Sequence, residues 1–577
     1  MYSFAVIVSL SLLGLFFAFG VERNPSPSLV TDRRTNVTYH GVSDHGVDTF
    51  LGISYGQDTS GAGRFAPPKP FIPAQNSIIN ATAAGARCPQ PMIPFPPISN
   101  IVSNVTDISE DCLNLRITRP STPSKSEKLP VLVFIYGGGY AIGQIYDMFY
   151  QPDQLVKDSV SSGTPVIYVA MNYRLGIFGF PTSDLLQERK SLNLALKDQR
   201  LALDWIQENI HIFGGDPNRV TIFGESAGGT SVAAQILAYG GKQKPPFQQA
   251  IVESGLIGPG FAPKYSTKHF DLVTRQAGCD YGMPDSELSL DCLRSLSLES
   301  LLNTSLAVQA VDNVNAIGEF YTPTVDGDFI PLEPSLLVQS GQFSKVPMML
   351  GFNRDDGTLF VSPTVNTEED VAAVFTGLFP NLKKSTTTRI LELYPLIDFP
   401  AIPAENASAQ FVRASRIYRD IEFTCPSLFL GLHVSDQGHE LDPPTIYHSS
   451  KPQKNLLQTA IGYLSASRKM WREPNSRSNP VFFYELNQTS LAQNLSGQGL
   501  PQLGISHLAD LPYVFDEVSK FNNSVSNALL AKQITGSWSR FATSGHPSST
   551  RGTTLKGWLP AWNGKNGHNL GDARECS

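Results

Sequence analysis

The sequence lacks the concentrations of positive charge that nucleic-acid-binding proteins carry. Its 577 residues include 44 Lys and Arg against 51 Asp and Glu, for a formal net charge of -7. No Lys/Arg-rich run occurs along the chain, which argues against nucleic acid as a partner. The C-x-x-C and H-E-x-x-H motifs are also missing, so we expect no metal site and no other cofactor.

The chain also lacks internal boundaries. No long Pro/Gly/Ser linker, charge block, repeat or low-complexity tract divides it, although its length by itself favours two domains. From about residue 48 onward, apolar segments alternate with turn residues. We therefore predict one large domain over residues 21–577, and such a chain can bury a large core without metals.

Residues 1–20 are apolar and uncharged, and no comparable stretch follows them. The small residues Ala18 and Gly20 close this segment before the polar Val21-Glu22-Arg23. The pattern predicts a secretory signal peptide, although it lacks a basic N-terminal region. An uncleaved membrane anchor and a buried helix are the alternatives. After cleavage we expect a secreted protein without stable membrane insertion.

Glycosylation sequons and cysteines agree with export. Eight N-x-S/T tripeptides fit a surface that carries N-glycans; they begin at Asn36, Asn80, Asn104, Asn303, Asn406, Asn487, Asn494 and Asn522. The six cysteines fit an oxidising compartment. Their spacing alone leaves fifteen possible pairings.

Continuous apolar runs bounded by turn residues predict buried strands at 131–136, 165–170, 219–223, 249–252, 346–350 and 481–486. Helical patterns occur at 192–209 and 226–237. Buried strands that alternate with helices indicate an α/β fold, a mostly parallel sheet flanked by helices on both faces. In such a sheet the ligands bind beyond the carboxyl ends of the strands.

Two segments match G-x-S-x-G, around Ser226 and Ser54, and the motif alone is weak. A nucleophilic serine of this type needs a strand before it and a helix after it. Ser226 has both, and the helix N-terminus adds partial positive charge. Ser54 is followed by Gln57-Asp-Thr-Ser-Gly, which does not start a helix, so we interpret it as a turn residue.

The run Gly137-Gly138-Gly139 follows the strand at 131–136. Consecutive glycines cost chain entropy, but their backbone N–H groups can approach a substrate oxygen. The pattern predicts an oxyanion hole that contains Gly138, Gly139 and the N–H of Ala227.

An acid and a base should follow Ser226 in the order Asp/Glu, then His. Asp356 precedes a glycine at the exit of the strand at 346–350 and is the predicted acid. Asp355 is the competitor, and we expect the unused aspartate to be a solvated loop charge. His507 is the predicted base because it lies in a loop past the strand at 481–486; the other downstream histidines are His433, His439, His448, His546 and His568.

The motifs together resemble the type-B carboxylesterase/lipase family of α/β-hydrolases from about residue 30 to about residue 562. The pieces occur in family order and include Glu110-Asp-Cys112, Asn172-Tyr-Arg-Leu, Gly224-Glu-Ser-Ala-Gly-Gly229, Glu253-Ser-Gly255 and Trp538…Phe541-Ala542. The resemblance implies the triad Ser226, Asp356 and His507. It also implies the disulfides Cys88–Cys112 and Cys279–Cys292; whether Cys425 and Cys576 pair stays open.

Three departures from the family pattern concern the site. The predicted acid is Asp, whereas Glu is commoner in the family. Tyr140 follows the glycines at a position where Phe is usual, and this difference predicts an altered pocket wall. The loop between Cys88 and Cys112 contains no Trp, which argues against choline esters. This loop is also short and Pro-rich, which favours hydrolysis of soluble esters over activation at lipid interfaces.

Two other functions are alternatives to a secreted serine ester hydrolase. A triacylglycerol lipase is the first, and a catalytically inactive binding or adhesion relative is the second. The presence of all three triad residues argues against the inactive relative. A small-molecule or lipid ester is the expected partner, and the acyl and alcohol specificity and the oligomeric state have no sequence signal.

Overall fold

The computed structural model describes residues 25–561 except 92–105, 122–127, 256–264, 312–320, 380–381, 436–478, 523 and 551–552. The segment predicted to be a signal peptide therefore lies outside the described residues. So do the sequon at Asn104, most of the Pro-rich loop, and Cys576. His439, His448 and His568 also lie outside them.

One sheet runs through the described part of the chain. Its strands are β1 (Ser26–Asp32), β2 (Val37–Asp44), β3 (Val47–Ser54), β4 (Ile78–Asn80), β5 (Asn114–Pro120), β6 (Leu129–Ile135), β7 (Ile167–Met171), β8 (Gly215–Glu225), β9 (Gln249–Glu253), β10 (Met348–Asn353) and β11 (Val481–Leu486). They are ordered β1-β2-β3-β5-β7-β6-β8-β9-β10-β11, and β4 pairs with β2.

The sheet is antiparallel from β1 to β7 along this order. From β7 through β6, β8, β9 and β10 to β11 every neighbouring pair is parallel. The prediction of a mostly parallel sheet is thus confirmed. The six predicted strands are all present, with bounds shifted by a few residues.

The α-helices described are α1 (Asp153–Ser161), α2 (Gly176–Gly179), α3 (Asp184–Glu188), α4 (Leu194–Asn209), α5 (Ala227–Leu237), α6 (Tyr265–Gln276), α7 (Glu287–Ser295), α8 (Leu298–Val311), α9 (Pro334–Gln339), α10 (Glu368–Leu378), α11 (Lys384–Leu393), α12 (Ala409–Arg419), α13 (Cys425–Ser435), α14 (Ala492–Gly497), α15 (Leu511–Val514) and α16 (Val525–Ser544). The helices predicted at 192–209 and 226–237 correspond to α4 and α5.

The main core lies between the sheet and two helix groups. Helix α5 packs on β8, β9 and α4, whereas α16 packs on β6, β8 and α1. All residues of β6 and β7 are buried, as expected for strands covered on both faces. Burial on both faces explains why these strands are continuous apolar runs in the sequence.

A second apolar cluster lies in the excursion between β10 and β11. Helices α10, α11 and α12 contribute Val371, Ile390 and Phe411 to it. After α12 the chain makes a π-helical turn, Asp420–Thr424, before α13 begins. Helix α12 also packs against the 3₁₀ turn Asp356–Leu359 at the exit of β10, so the cluster supports the segment that carries Asp356.

A buried ion pair joins the Asn172-Tyr-Arg-Leu motif to α4. The guanidinium of Arg174 donates to both carboxylate oxygens of Asp198, at 2.8 Å and 2.7 Å. The backbone N–H of Arg174 donates to the same carboxylate. A buried pair needs such complete hydrogen bonding to offset its desolvation, and here it fixes the exit of β7 on α4.

Candidate active site

Ser226 lies on the sharp turn between the end of β8 and the start of α5. Its backbone has φ 60° and ψ −128°, a conformation that a non-glycine residue rarely adopts and that costs about 1–3 kcal/mol. Its N–H donates to the carbonyl oxygen of Glu253 at 2.9 Å. The strand, strained serine and helix are the arrangement that the sequence predicted.

Flanking glycines are needed where this turn meets β6. A Cβ atom built on Gly224 would lie 2.5 Å from the carbonyl oxygen of Ile135. Ser54, by contrast, is the last residue of β3 and no helix follows it. The structure thus places the second G-x-S-x-G serine at a strand end, where the sequence interpretation had a turn.

The glycine run after β6 lies directly against the turn that carries Ser226. A Cβ built on Gly137 would lie 2.8 Å from the Cβ of Ser226. Gly138 and Gly139 have φ of 101° and 61°, values that glycine adopts without strain. Both glycines are partly exposed, and Ala227 is the first residue of α5.

Tyr140 is buried rather than exposed on a pocket wall. Its hydroxyl accepts a hydrogen bond from Ser231 of α5 at 3.1 Å, and its ring contacts Phe180 edge to face. Its carbonyl oxygen accepts from the N–H of Gly176. The residue therefore anchors the glycine loop to the protein interior, and its effect on the pocket wall stays a prediction.

Asp356 is fully buried at the exit of β10. Its Oδ1 accepts from Nδ1 of His507 at 3.0 Å. Its Oδ2 accepts from the hydroxyl of Ser254 at 2.9 Å and from the N–H of Asn353 at 2.7 Å. The structure thus brings the predicted acid and base together, 151 residues apart in sequence.

Asp355 is not the solvated loop charge that was expected of the aspartate outside the triad. Its carboxylate pairs with Arg354 at 2.7 Å and accepts the backbone N–H of Ile505 at 2.9 Å. Ile505 belongs to the loop that carries His507. The expectation was wrong because this loop returns to the exit of β10, so the adjacent aspartates support the same histidine differently.

His507 is almost completely buried and lies between two aromatic rings. The centroid of Phe360 is 5.0 Å from the imidazole and that of Phe423 is 5.2 Å away. Nε2 is 3.3 Å from Oε1 of Glu225, and it has no hydrogen-bond partner among the described residues. In unliganded sites the hydrogen bonds of catalysis are often open in this way.

Three buried carboxyl groups next to Asp356 have no role in the sequence interpretation. Burial, with the nearby Asp510 and Asp356 carboxylates, raises the pKa of Glu225 well above its usual range. Burial and Asp510 also raise the pKa of Glu253 well above its usual range. Burial and Asp356 raise the pKa of Asp510 to about 6. Like charges at close range in a poorly solvated site cannot all ionise, so this cluster holds protons.

Glu225 and Glu253 occur in motifs that the sequence analysis singled out, and Asp510 lies three residues after His507. A polar residue at the end of a buried parallel strand was the signal that could have identified Glu225 and Glu253. The described residues contain no group of three or more His, Cys, Asp or Glu suited to a metal ion. Nor does any described helix have the length and hydropathy needed to cross a membrane.

The disulfide pairs implied by the family resemblance, Cys88–Cys112 and Cys279–Cys292, are both present. The first closes the Pro-rich loop, and this loop is tied to the glycine loop. Gln90 donates to the carbonyl oxygen of Gly143 at 2.8 Å and accepts from its N–H at 2.9 Å. The base of the disulfide loop is therefore fixed beside the candidate site.

The comparison with family models gives a match to the carboxylesterase family over residues 35–571. The chain belongs to this family. A secreted lipase of Arthroderma benhamiae is 37% identical over 545 residues, 93% of this chain and 87% of the relative. An inactive carboxylesterase-like protein of Byssochlamys spectabilis is 38% identical over 555 residues, 94% and 88% of the two chains.

Solved esterase structures have the same fold. The crystal structure of Aspergillus niger EstA matches with a TM-score of 0.70 and 27% identity, over 93% of this chain and 92% of that one. A PNB esterase structure matches with a TM-score of 0.69 and 27% identity, over 92% and 93%. The α/β-hydrolase fold of this carboxylesterase-family chain is thus established.

The carboxyl cluster predicts how stability changes with pH. Burial and the nearby Asp356 raise the pKa of Asp510 in the folded protein to about 6, so its contribution to stability is complete below the unfolded pKa and is lost as pH rises through about 6. The free energy of unfolding of the wild type should therefore fall between about pH 4 and pH 7. We expect this fall to be smaller in Asp510→Asn, by up to about 3 kcal/mol. Thermal unfolding at both pH values measures this.

Asp398→Asn is the matched control, because Asp398 is exposed and should leave the pH dependence unchanged. An equal loss of stability with pH in the wild type and in Asp510→Asn would contradict the expectation.

Proposed function

We propose that this chain is a secreted serine carboxylic-ester hydrolase that works through an acyl-enzyme. Membership in the carboxylesterase family supports carboxylic ester hydrolysis. The observation that carries the proposal is the hydrogen bond between Asp356 and His507, next to a strained Ser226 that lies against the glycine loop. A nucleophile, a base with its orienting acid, and backbone donors are the parts that acyl transfer needs.

The mechanism begins when Oγ of Ser226 attacks the acyl carbonyl carbon and Nε2 of His507 accepts the serine proton. The Asp356 carboxylate holds the proton on Nδ1 and stabilises the imidazolium. The N–H groups of Gly138, Gly139 and Ala227 stabilise the oxyanion. The alcohol leaves with the proton from His507, and water hydrolyses the acyl-enzyme by the same steps.

A neutral Glu225 leaves Asp356 as the carboxylate that pairs with His507. The Glu225 carboxyl oxygen lies 3.3 Å from Nε2, where a second carboxylate would compete with Asp356 for the imidazolium that forms in the reaction. The raised pKa of Glu225, caused mainly by burial, avoids this second charge. When substrate binds, Nε2 of His507 then needs only to exchange its contact with Glu225 for a hydrogen bond with Ser226.

Variants of the triad test the proposal. Ser226→Ala should abolish hydrolysis of short-chain p-nitrophenyl esters, and Asp356→Asn should lower kcat by about 10⁴ because the imidazole loses its orienting acceptor. Asp355→Asn is the matched control on the neighbouring residue, and it should lose less than about tenfold because it keeps an oxygen for Ile505.

Steady-state rates with the three variants give the comparison. Full activity in Ser226→Ala, or an inactive wild type, would refute the catalytic assignment. The second outcome would favour a binding function, as the name of the inactive Byssochlamys spectabilis relative illustrates.

A triacylglycerol lipase is the second candidate, because relatives are named lipases, including a secreted triacylglycerol lipase of Gibberella zeae. The short Pro-rich loop between Cys88 and Cys112 favours soluble esters instead. We expect the rate to rise smoothly with tributyrin concentration and to show no jump at the solubility limit. A jump above that limit would favour the lipase.

Secretion and glycosylation form part of the proposal. Within the described residues, six sequons have an exposed asparagine: Asn36, Asn80, Asn303, Asn406, Asn487 and Asn494. Expression in a eukaryotic host should release a protein that starts at Val21, as N-terminal sequencing would show. An endoglycosidase should lower its mass, and an intracellular, unglycosylated product would contradict secretion.

A further inference from the structure

Trp538 belongs to a motif of the sequence that the proposed chemistry does not use. It lies in α16 and is 1% exposed. The indole N–H is only a donor, and its acceptor is Oε1 of Glu253 at 2.5 Å. A residue near the C-terminal end of the chain is thus bonded to the end of β9, 285 residues earlier.

Glu253 connects this hydrogen bond to the nucleophile. Its carbonyl oxygen accepts the N–H of Ser226 at 2.9 Å, and it pairs with Glu225 in the parallel register of β8 and β9. Its Oε2 atom has no hydrogen-bond partner among the described residues. The indole therefore fixes the orientation of the buried Glu253 side chain. The backbone of the same residue holds Ser226.

The other contacts of Trp538 lead to the loop of the base. Its ring packs edge to face on Tyr484, with centroids 5.3 Å apart. The Tyr484 hydroxyl donates to Oδ2 of Asp510 at 3.3 Å, and Asn353 donates to Oδ1 of Asp510, also at 3.3 Å. Asp510 follows His507 by three residues, so one indole contacts the supports of both the nucleophile and the base.

We propose that Trp538 is a positioning residue for ester hydrolysis, which holds Glu253 by its N–H and Tyr484 by its ring and thereby fixes the distance between Ser226 and His507. This inference rests on the proposed function. Small displacements of reacting groups reduce rates strongly, whereas substrate binding does not depend on this contact. Loss of the N–H should therefore lower kcat and leave KM nearly unchanged.

The first comparison uses two tryptophans of one aromatic cluster. Trp538→Phe removes the donor to Glu253 and keeps a ring against Tyr484. Trp558→Phe removes a hydrogen bond of the same kind, from the Trp558 indole to the carbonyl oxygen of Phe483 at 2.9 Å, and its ring centroid is 6.2 Å from Trp538. We expect kcat to fall about tenfold in the first and to change less than about twofold in the second.

A double-mutant cycle tests whether Trp538 acts through Glu253. Glu253→Met removes the acceptor, so adding Trp538→Phe to it should lower kcat no further. Glu253→Gln keeps an oxygen for the indole and should retain more of kcat than Glu253→Met. Titration of Ser226 with a fluorophosphonate normalises kcat to reactive sites, so partly unfolded variants still give a defined value.

The outcomes separate this inference from the proposed function. Equal kcat in Trp538→Phe and Trp558→Phe, a rise in KM without loss of kcat, or additive losses in the cycle would overturn the positioning role. An inactive wild type would overturn the proposed function itself.

Discussion

The hydrogen bond from the N–H of Ser226 to the carbonyl oxygen of Glu253 is the contact on which the candidate site depends. Ser226 has a positive φ, which the chain adopts only where surrounding structure holds it. The parallel register of β8 and β9 sets Glu253 beside Glu225. The hydroxyl of the next residue, Ser254, donates a hydrogen bond to Asp356, so one strand end joins the candidate nucleophile to the candidate acid.

The buried carboxyl groups of the site differ in the hydrogen-bond donors that surround them. Asp356 accepts from Ser254, Asn353 and His507, and such fixed donors replace the water that a carboxylate loses on burial. For Glu225, the backbone hydrogen bond from Leu508 lowers the pKa less than burial raises it. Two acidic residues at similar depth therefore differ in how fully hydrogen-bond donors replace the water that each loses.

The sequence predicted those parts of the molecule that local physics determines. Continuous apolar runs identified the strands because both sheet faces are covered, and the strand before Ser226 with the helix after it separated it from Ser54. The choice of Asp356 and His507 agrees with their hydrogen bond.

Other features depend on contacts between distant segments. The pairing of Asp355 with Ile505 and the raised pKa values of Glu225 and Asp510 arise only when several strand ends meet. The π-helical turn that brings Phe423 to His507 has no periodicity of its own in the sequence.

Through the two hydrogen bonds between Gln90 and Gly143, the loop closed by the Cys88–Cys112 disulfide also supports a segment outside itself. They connect the covalently closed loop to the turn that presents Gly138 and Gly139. A chain produced where thiols stay reduced would have the same sequence and the same candidate triad, but a loosened support for the proposed oxyanion donors. The redox state of the compartment in which the chain folds thus bears on the proposed catalysis.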